Sequence, residues 1–310
     1  MKILVTGGAG YIGTSLVPAL LNRNYKVCVI DNLMYGQNVL LEHHINENYS
    51  FIFGDIRDKS IIKKHVKDFD VIIHLASIVG APACKKNPIL ANEVNIDGTK
   101  NIIEQLTKEQ ILLFASTGSV YGKIEGMCNE DWKPNPLSLY GSNKLEGELM
   151  ALNRENSVAF RFATAYGLSP RLRLDLLPND FVLNAIRNKY LVVYDKEFRR
   201  TFIHVTDIVR SYLHMLDNID SVKGEAYNIG SEDNNYTKEE LVNKIKEFVD
   251  FQVYYADKGI PDPDQRDYEV SYKKLYETGF NVKIDLDRGI QELVDGFSIL
   301  KIQTNFANIA

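Results

Sequence analysis

The sequence predicts an α/β protein built on a doubly wound parallel sheet, with a smaller α/β lobe at its C-terminal end. Short apolar runs alternate with longer segments of helical period. The apolar runs are continuous rather than alternating, as expected for parallel strands that are buried on both faces. After about residue 165 this rhythm breaks, so we expect a first domain at 1–165 and a substrate lobe at 166–310.

The first domain is predicted to contain six strands and at least four helices. The predicted strands are 2–6, 26–30, 51–53, 70–76, 110–116 and 157–162. The predicted helices are 11–24, 58–69, one near 92–108 and one from about Leu139. In the lobe we expect a strand at 226–230, a helix at 238–249 and a Pro- and Asp-rich loop at 257–267. Pieces near 200–230 are expected to return to the first domain.

Composition excludes several classes of protein. The 310 residues carry a net charge of −5, which gives no basic patch for nucleic acid. Three scattered cysteines support neither a disulfide framework nor a metal site, and they favour a reducing, cytoplasmic setting. No window reaches the length of apolar sequence that a membrane helix needs. We therefore expect no metal, no membrane and no nucleic acid as partners.

A glycine-rich turn follows the first predicted strand. Gly7, Gly10 and Gly13 have the spacing G-x-x-G-x-x-G and open the first helix. Such a turn lets backbone amides, here including those of Tyr11 and Ile12, approach a pyrophosphate at the helix N-terminus. Three glycines alone are a weak signal, but their position in the first strand–turn–helix unit predicts a Rossmann-type dinucleotide site.

The second strand ends in an acidic residue, Asp31, which stands 18 residues after Gly13. A carboxylate there accepts the adenosine ribose hydroxyls and repels a 2′-phosphate. No Lys or Arg lies between Lys26 and Arg57, so NAD is favoured over NADP as the cofactor. The alternative is that Asp31 simply starts a turn with Asn32. We also assign Asn32 to the cofactor site.

Two further segments complete the predicted cofactor site. Asp55 and Ile56 follow the third strand, where they would meet the edge of an adenine ring. Leu75, Ala76 and Ser77 end the fourth strand with mostly small side chains, which suit a flat ring that approaches the backbone.

The reacting end is predicted where the fifth strand and a later helix meet. Ser116 and Thr117 follow strand 110–116, at the edge where parallel sheets bind ligands. Tyr140 and Lys144 are four residues apart, so they share one face of a helix. A nearby ammonium favours a phenolate, which is able to remove the hydroxyl proton of an alcohol during its oxidation. The alternative is a solvated surface pair.

Together these motifs resemble the extended short-chain dehydrogenase/reductase superfamily, and within it the nucleotide-sugar epimerase/dehydratase branch. The similarity also covers the following segments, in family order: EVNIDGT (93–99), RFATAYG (161–167), RRTFIHVTD (199–207) and AYNIG (226–230).

The resemblance implies bound NAD, a nucleoside-diphosphate sugar as substrate, and oxidation at carbon 4 of that sugar. It assigns Asn95 to the cofactor, and Arg200 and Arg266 to the diphosphate of the substrate. Arg171 and Arg173 are further substrate candidates, with a solvated loop as the alternative. A homodimer is expected through the helices near 92–108 and 139–155.

Two departures from the family pattern narrow the reaction. Thr164 stands where many relatives carry an Asn that holds the substrate phosphate. Gly118 and Ser119 replace the Asp-Glu pair of the 4,6-dehydratases, so loss of water is disfavoured, as is decarboxylation, which also uses an acidic residue there. The remaining outcomes are 4-epimerisation and net 4-dehydrogenation. A GDP-hexose or GDP-heptose substrate, a 4,6-dehydratase and a non-catalytic NAD-binding regulator stay as alternatives.

Overall fold

The computed structural model describes residues 1–124, 126–256 and 269–300. Its strands are β1 (Lys2–Thr6), β2 (Lys26–Asp31), β3 (Tyr49–Phe53), β4 (Val71–His74), β5 (Ile111–Thr117), β6 (Met127–Cys128), β7 (Ser157–Phe162), β8 (Thr164–Tyr166), β9 (Tyr190–Tyr194), β10 (Arg199–His204), β11 (Glu225–Ile229), β12 (Asn235–Thr237), β13 (Gln252–Ala256) and β14 (Glu269–Val270). Its α-helices are α1 (Gly13–Asn22), α2 (Lys59–His65), α3 (Ala81–Lys86), α4 (Pro88–Asn92), α5 (Thr99–Ile103), α6 (Leu139–Leu152), α7 (Leu177–Asn188), α8 (Val205–Asp217), α9 (Ile219–Val222), α10 (Lys238–Lys246), α11 (Lys273–Glu277) and α12 (Leu286–Ile299). In these segments no helix combines the length and apolar character needed to cross a membrane.

The central sheet has seven parallel strands in the order β3-β2-β1-β4-β5-β7-β11. The order reverses between β1 and β4, which is the position where doubly wound sheets bind their ligands. The predicted α/β fold class is confirmed, and six of the seven strands come from the first 165 residues. The continuous apolar runs are explained by helices on both faces of this sheet.

Each face of the sheet has its own hydrophobic core. On one face α1 and α8 pack against the strands through Leu16, Leu20 and Tyr212. On the other face α2, α5 and α6 contribute Ile62, Ile102 and other buried side chains. The two layers of helices shield the strands from solvent and leave the carboxyl ends of the strands accessible to a ligand.

The second part of the chain forms a smaller α/β unit. Strands β8, β10 and β12 make a three-stranded sheet, and β9 pairs with β13. Helices α7, α10 and α12 pack in a third core that includes Phe202 and Leu241. Strand β11 rejoins the central sheet beside β7, and α8 contacts α1, as the expected return near 200–230 requires. The domain boundary near residue 165 stays a prediction.

The helix predicted near 92–108 begins earlier and is interrupted. It starts at Pro88, where the Asn87 side chain accepts the Leu90 amide proton at 3.1 Å, and α5 ends at Ile103. A π-helical turn over Glu93–Gly98 separates α4 from α5. A helical segment is therefore present near the predicted one, but it runs from Pro88 to Ile103 because Pro88 favours an earlier start and the π turn inserts an extra residue.

Helix α6 lies unusually close to strand β5 because two of its residues have no side chain. A Cβ atom on Gly141 would lie 2.8 Å from the Ser119 carbonyl oxygen. A Cβ atom on Gly147 would lie 2.6 Å from the ring of Phe114. Ser138 caps the helix by accepting the Gly141 amide proton at 3.1 Å. These contacts fix the helix face that carries Tyr140 and Lys144 against the end of β5.

Candidate active site

A cavity of about 430 Å³ opens at the carboxyl ends of the central strands, and residues from both parts of the chain line it. Its lining includes most of the residues that the sequence predicts for the site: Gly7, Gly10, Tyr11, Ile12, Gly13, Asp31, Asn32, Asp55, Ile56, Leu75, Ala76, Ser77, Thr117, Tyr140, Lys144 and Arg171. The cavity runs from the glycine turn to the tyrosine–lysine pair, so the fold brings the two predicted ends of the site together.

The glycine turn packs too tightly for side chains. Gly7 has φ of +69°, and a Cβ atom there would lie 2.5 Å from the Ala76 nitrogen. A Cβ atom on Gly13 would lie 2.4 Å from the Gly8 carbonyl oxygen. The absence of side chains allows α1 to begin directly above β1, with its N-terminus at the cavity.

Asp31 is a buried carboxylate that ties the glycine turn to the end of β2. Its two oxygens accept the amide protons of Ala9 at 3.0 Å and Leu33 at 2.8 Å. Burial raises the pKa of Asp31, and these two donors offset part of that effect. A carboxylate held in this way has remaining acceptor capacity for ribose hydroxyls.

Asn32 and Asp55 form the outer edge of the same end of the cavity. The Asn32 amide donates to Asp55 at 2.9 Å, and Arg57 makes a two-point ion pair with Asp55. The Arg57 guanidinium lowers the pKa of Asp55 to about 2. Arg57 also binds Glu93 at 2.8 Å, so its charge is held by two carboxylates.

Asn95 supports the cavity from behind rather than lining it. Its side-chain oxygen accepts from the Ser77 hydroxyl at 2.8 Å and from the Ile78 amide at 2.7 Å. Its amide group donates to the Ile78 carbonyl at 3.0 Å. The buried amide therefore holds the loop after β4 in place, and direct contact with the cofactor stays a prediction that this geometry does not favour.

The reacting end brings together Thr117, Tyr140 and Lys144, all buried and all lining the cavity. The Lys144 ammonium donates to the Ala115 carbonyl at 2.8 Å and lies 5.2 Å from the centre of the Phe114 ring. Burial lowers the pKa of Lys144 to about 8. Thr117 accepts the Ser119 amide proton at 3.2 Å. The surface-pair alternative is excluded, because neither side chain of the pair is exposed.

The candidate arginines occupy different places. Arg171 and Arg173 are buried and line the cavity, and Arg173 pairs with Asp175 at 2.8 Å. Arg200 is buried in β10, donates to the Arg199 carbonyl at 2.9 Å, and lies outside the cavity lining that the described residues form. Arg266 falls outside the described residues.

A comparison with known proteins decides the family. A model of the NAD dependent epimerase/dehydratase family matches residues 3–230. The chain belongs to this family. Its cofactor is NAD, as the glycine turn and Asp31 predict.

Three proteins show how far the family likeness extends. The chain is 32% identical over 311 residues to a putative UDP-glucose 4-epimerase of Methanocaldococcus jannaschii, covering 94% of this chain and 97% of that protein. It is 30% identical over 299 residues to a UDP-N-acetyl-alpha-D-glucosaminuronate decarboxylase of Bacillus cytotoxicus, covering 90% and 86%. The crystal structure of a Bacillus cereus UDP-glucuronic acid 4-epimerase with UDP-glucuronic acid and NAD superposes with a TM-score of 0.83 at 28% identity, covering 96% and 99%.

Behind the reacting end of this epimerase/dehydratase site lies a buried polar network that the sequence analysis missed. Ser116 donates to Glu148 at 2.5 Å, and Glu148 forms an ion pair with Arg161 at 2.6 Å. Arg161 donates to the Tyr121 hydroxyl at 2.9 Å, and Tyr121 donates to Asn228 at 2.7 Å. The four-residue interval from Lys144 to Glu148 could have indicated that Glu148 shares the helix face of Lys144. It could not have indicated the partner Arg161, which comes from another element.

We expect Arg161→Met to lower the free energy of unfolding by about 3–5 kcal/mol, because it leaves the Glu148 carboxylate buried without a cation. Urea denaturation at neutral pH measures this. The double variant Glu148→Gln/Arg161→Met should recover part of the loss, since it removes the unpaired charge. A loss below about 1 kcal/mol for the single variant would show that the pair contributes no more than an exposed one.

Proposed function

We propose that the protein is an NAD-dependent 4-epimerase of a nucleoside-diphosphate sugar, acting through oxidation at carbon 4. The observation that carries the proposal is the convergence of Tyr140, Lys144 and Thr117 at one end of a cavity whose other end holds Asp31 and the glycine turn. This arrangement suits a dinucleotide that reaches from Asp31 to the tyrosine, with the sugar beyond it.

Each reacting side chain has a role that follows from its surroundings. Tyr140 removes the proton from the sugar hydroxyl as a general base. Lys144, fixed by the Ala115 carbonyl, places a positive charge one helical turn away and favours the phenolate over the phenol. Thr117 orients the reacting oxygen by hydrogen bonding. Bound NAD supplies the acceptor for the hydrogen at carbon 4.

Dehydration and decarboxylation are disfavoured because the described residues that line the reacting end of the cavity carry no carboxyl group. Among the residues that the structure describes, the acidic residues lining the cavity are Asp31 and Asp55, both at the adenosine end. Gly118 and Ser119 stand beside Thr117 and have no carboxyl group. An elimination of water needs a general acid and a general base near the sugar, and Tyr140 alone does not supply both.

Epimerisation is favoured over net oxidation because residues from both parts of the chain line the cavity. Net oxidation requires NADH to leave or to be reoxidised by a second substrate after every turnover, whereas an epimerase returns the hydrogen to the same sugar and keeps its cofactor. The Tyr11 hydroxyl donates to the Gly167 carbonyl at 2.9 Å and so joins the glycine turn to the lobe. This closure favours a retained cofactor. The 32% identical relative, named a putative 4-epimerase, agrees with this choice.

The substrate contacts are proposed on charge and position. Arg173 lines the cavity and its charge acts on Tyr140, which supports a role in binding the sugar nucleotide. Arg200 and Arg266 stay proposed ligands of the substrate diphosphate, because guanidinium groups match phosphate oxygens. Two relatives named for UDP sugars favour UDP over the GDP-hexose and GDP-heptose alternatives. Incubation with UDP-, GDP-, CDP- and dTDP-sugars, followed by NMR and mass spectrometry, tests base and outcome. A 4-keto-6-deoxy product would overturn the epimerase proposal.

A homodimer is also proposed through α6 and the helical segment from Pro88 to Ile103, which stands where the sequence predicts a helix near 92–108. Ile89 on α4 and Leu149 on α6 are large apolar side chains that are 72% and 62% exposed. Burial of such side chains between two copies would remove apolar surface from water.

We expect Tyr140→Phe to lower the turnover of the sugar that the panel identifies by at least about 100-fold, because general-base catalysis contributes about 10²–10⁴ to a rate. Because the ring is retained, the free energy of unfolding should change little. Initial rates and urea denaturation measure the two effects. Turnover within a few-fold of the unchanged protein would contradict the role of Tyr140.

The pH profile of kcat/KM should have an alkaline limb that belongs to Lys144. Its pKa in the folded protein is lowered to about 8, so the ammonium is present below that pH and is lost as the pH rises through it. Without the ammonium the Tyr140 phenolate loses its electrostatic stabilisation, and we therefore expect kcat/KM to fall. The residual activity of Lys144→Met should lack this limb. A profile that stays flat to pH 10 in the unchanged protein would refute the assignment.

A further inference from the structure

The loop between β8 and α7, residues 167–176, crosses from the lobe onto the glycine turn, and we call it the strap. The Ser169 hydroxyl donates to the Tyr11 carbonyl at 2.6 Å and lies 2.9 Å from the Thr14 hydroxyl. The Arg171 amide donates to Thr14 at 3.4 Å. These contacts hold the strap against the first turn of α1, the place where the family binds the cofactor pyrophosphate.

Arg171 projects toward the adenosine end of the cavity. Its guanidinium carbon lies 4.5 Å from the centre of the Tyr35 ring, and Tyr35 follows Asp31 by four residues. Arg171, Tyr35 and Asp31 all line the same cavity. The charge of Arg171 also acts on Asp31, where it opposes the rise in pKa that burial causes. The sequence analysis assigned Arg171 to the substrate, but its neighbours are residues of the cofactor site.

Arg173 lies two residues further along the strap. It forms an ion pair with Asp175, and its charge acts on Tyr140 at the reacting end and also on Tyr11 and Tyr35. Its carbonyl accepts the Asn179 amide at 2.9 Å, which ties it to the start of α7. In an extended loop, side chains two residues apart need not serve the same ligand. The strap therefore presents two arginines to the cavity, one stacked on Tyr35 and the other paired with Asp175.

We propose that Arg171 binds the diphosphate of NAD, and that the strap fastens the cofactor with a residue from the substrate lobe. Three things support it: the strap's hydrogen bonds to Tyr11 and Thr14, the stacking of Arg171 on Tyr35, and the shared cavity with Asp31. A guanidinium stacked on an aromatic ring keeps its planar face fixed, and the geometry of its N–H groups matches that of phosphate oxygens. The proposal rests on NAD as cofactor and does not depend on which sugar is epimerised.

Arg171→Met and Arg173→Met form a matched pair of variants that tests whether Arg171 binds the NAD diphosphate. Dissociation constants for NAD, ADP-ribose and UDP are measured by calorimetry on each full-length variant after removal of bound cofactor. We expect Arg171→Met to weaken NAD and ADP-ribose by about 10- to 100-fold, because a charged hydrogen-bond donor to phosphate is lost. The dissociation constant for UDP should change by less than about 3-fold, because the contacts that bind UDP are unchanged. Arg173→Met should weaken NAD less than Arg171→Met does, because the ion pair with Asp175 already neutralises the Arg173 guanidinium.

Two results would overturn the proposal. If Arg171→Met weakens UDP and spares NAD, Arg171 belongs to the substrate site. If it weakens both ligands equally and Arg171→Lys, which keeps the charge, restores neither, Arg171 has only a structural role. Partial recovery of NAD affinity in Arg171→Lys supports a phosphate contact. None of these measurements uses turnover, so a failure of the epimerase proposal would leave them interpretable.

Discussion

Helix α6 lies on the carboxyl end of β5, and the rest of the site depends on that contact. Gly141 and Gly147 allow the helix to approach, since a side chain at either position would collide with Ser119 or Phe114. Within the contact, Lys144 donates to the Ala115 carbonyl and Glu148 accepts from Ser116. These two hydrogen bonds, one helical turn apart, fix the position of α6 along β5 and its rotation about its own axis. These contacts fix the face of α6 from which Tyr140 lines the cavity that Thr117 also lines.

Burial gives these polar groups their chemical use. In a low-dielectric interior a fixed ammonium acts on its neighbours more strongly than it would in water. The cost is visible in Lys144, whose pKa is lowered to about 8 by that burial. Asp31 shows the converse at the other end, because burial raises its pKa and backbone amides oppose the rise. Between the two ends, the strap contacts the glycine turn through Tyr11 and Thr14.

Local patterns in the sequence were enough to predict the fold and the two ends of the site. Continuous apolar runs predicted a parallel sheet because strands covered on both faces have no polar side. The spacing of Gly7, Gly10 and Gly13 predicted the turn, and the four-residue interval from Tyr140 to Lys144 predicted a shared helix face. Each of these signals lies within one element or one connection.

The sequence did not reveal features that depend on distant residues. Asn95 hydrogen bonds to the loop after β4 because a π-helical turn reorients it, and helical spacing contains no sign of that turn. Arg161 pairs with Glu148 across two elements, so neither residue alone predicts the ion pair. The neighbours of Arg171 are Thr14 and Tyr35, more than 100 residues away in the chain. Such contacts follow from the packing of the lobe on the first domain.

The most direct measurement of the central claim uses a nucleotide sugar that carries deuterium at carbon 4. The account predicts that NMR and mass spectrometry will find the 4-epimer with the deuterium still at carbon 4, because the hydrogen removed there returns to the same sugar. Loss of the label from the product, or entry of solvent hydrogen at carbon 5 or carbon 6, would contradict it. Either result would mean that Tyr140 and the enclosed cofactor perform a different reaction.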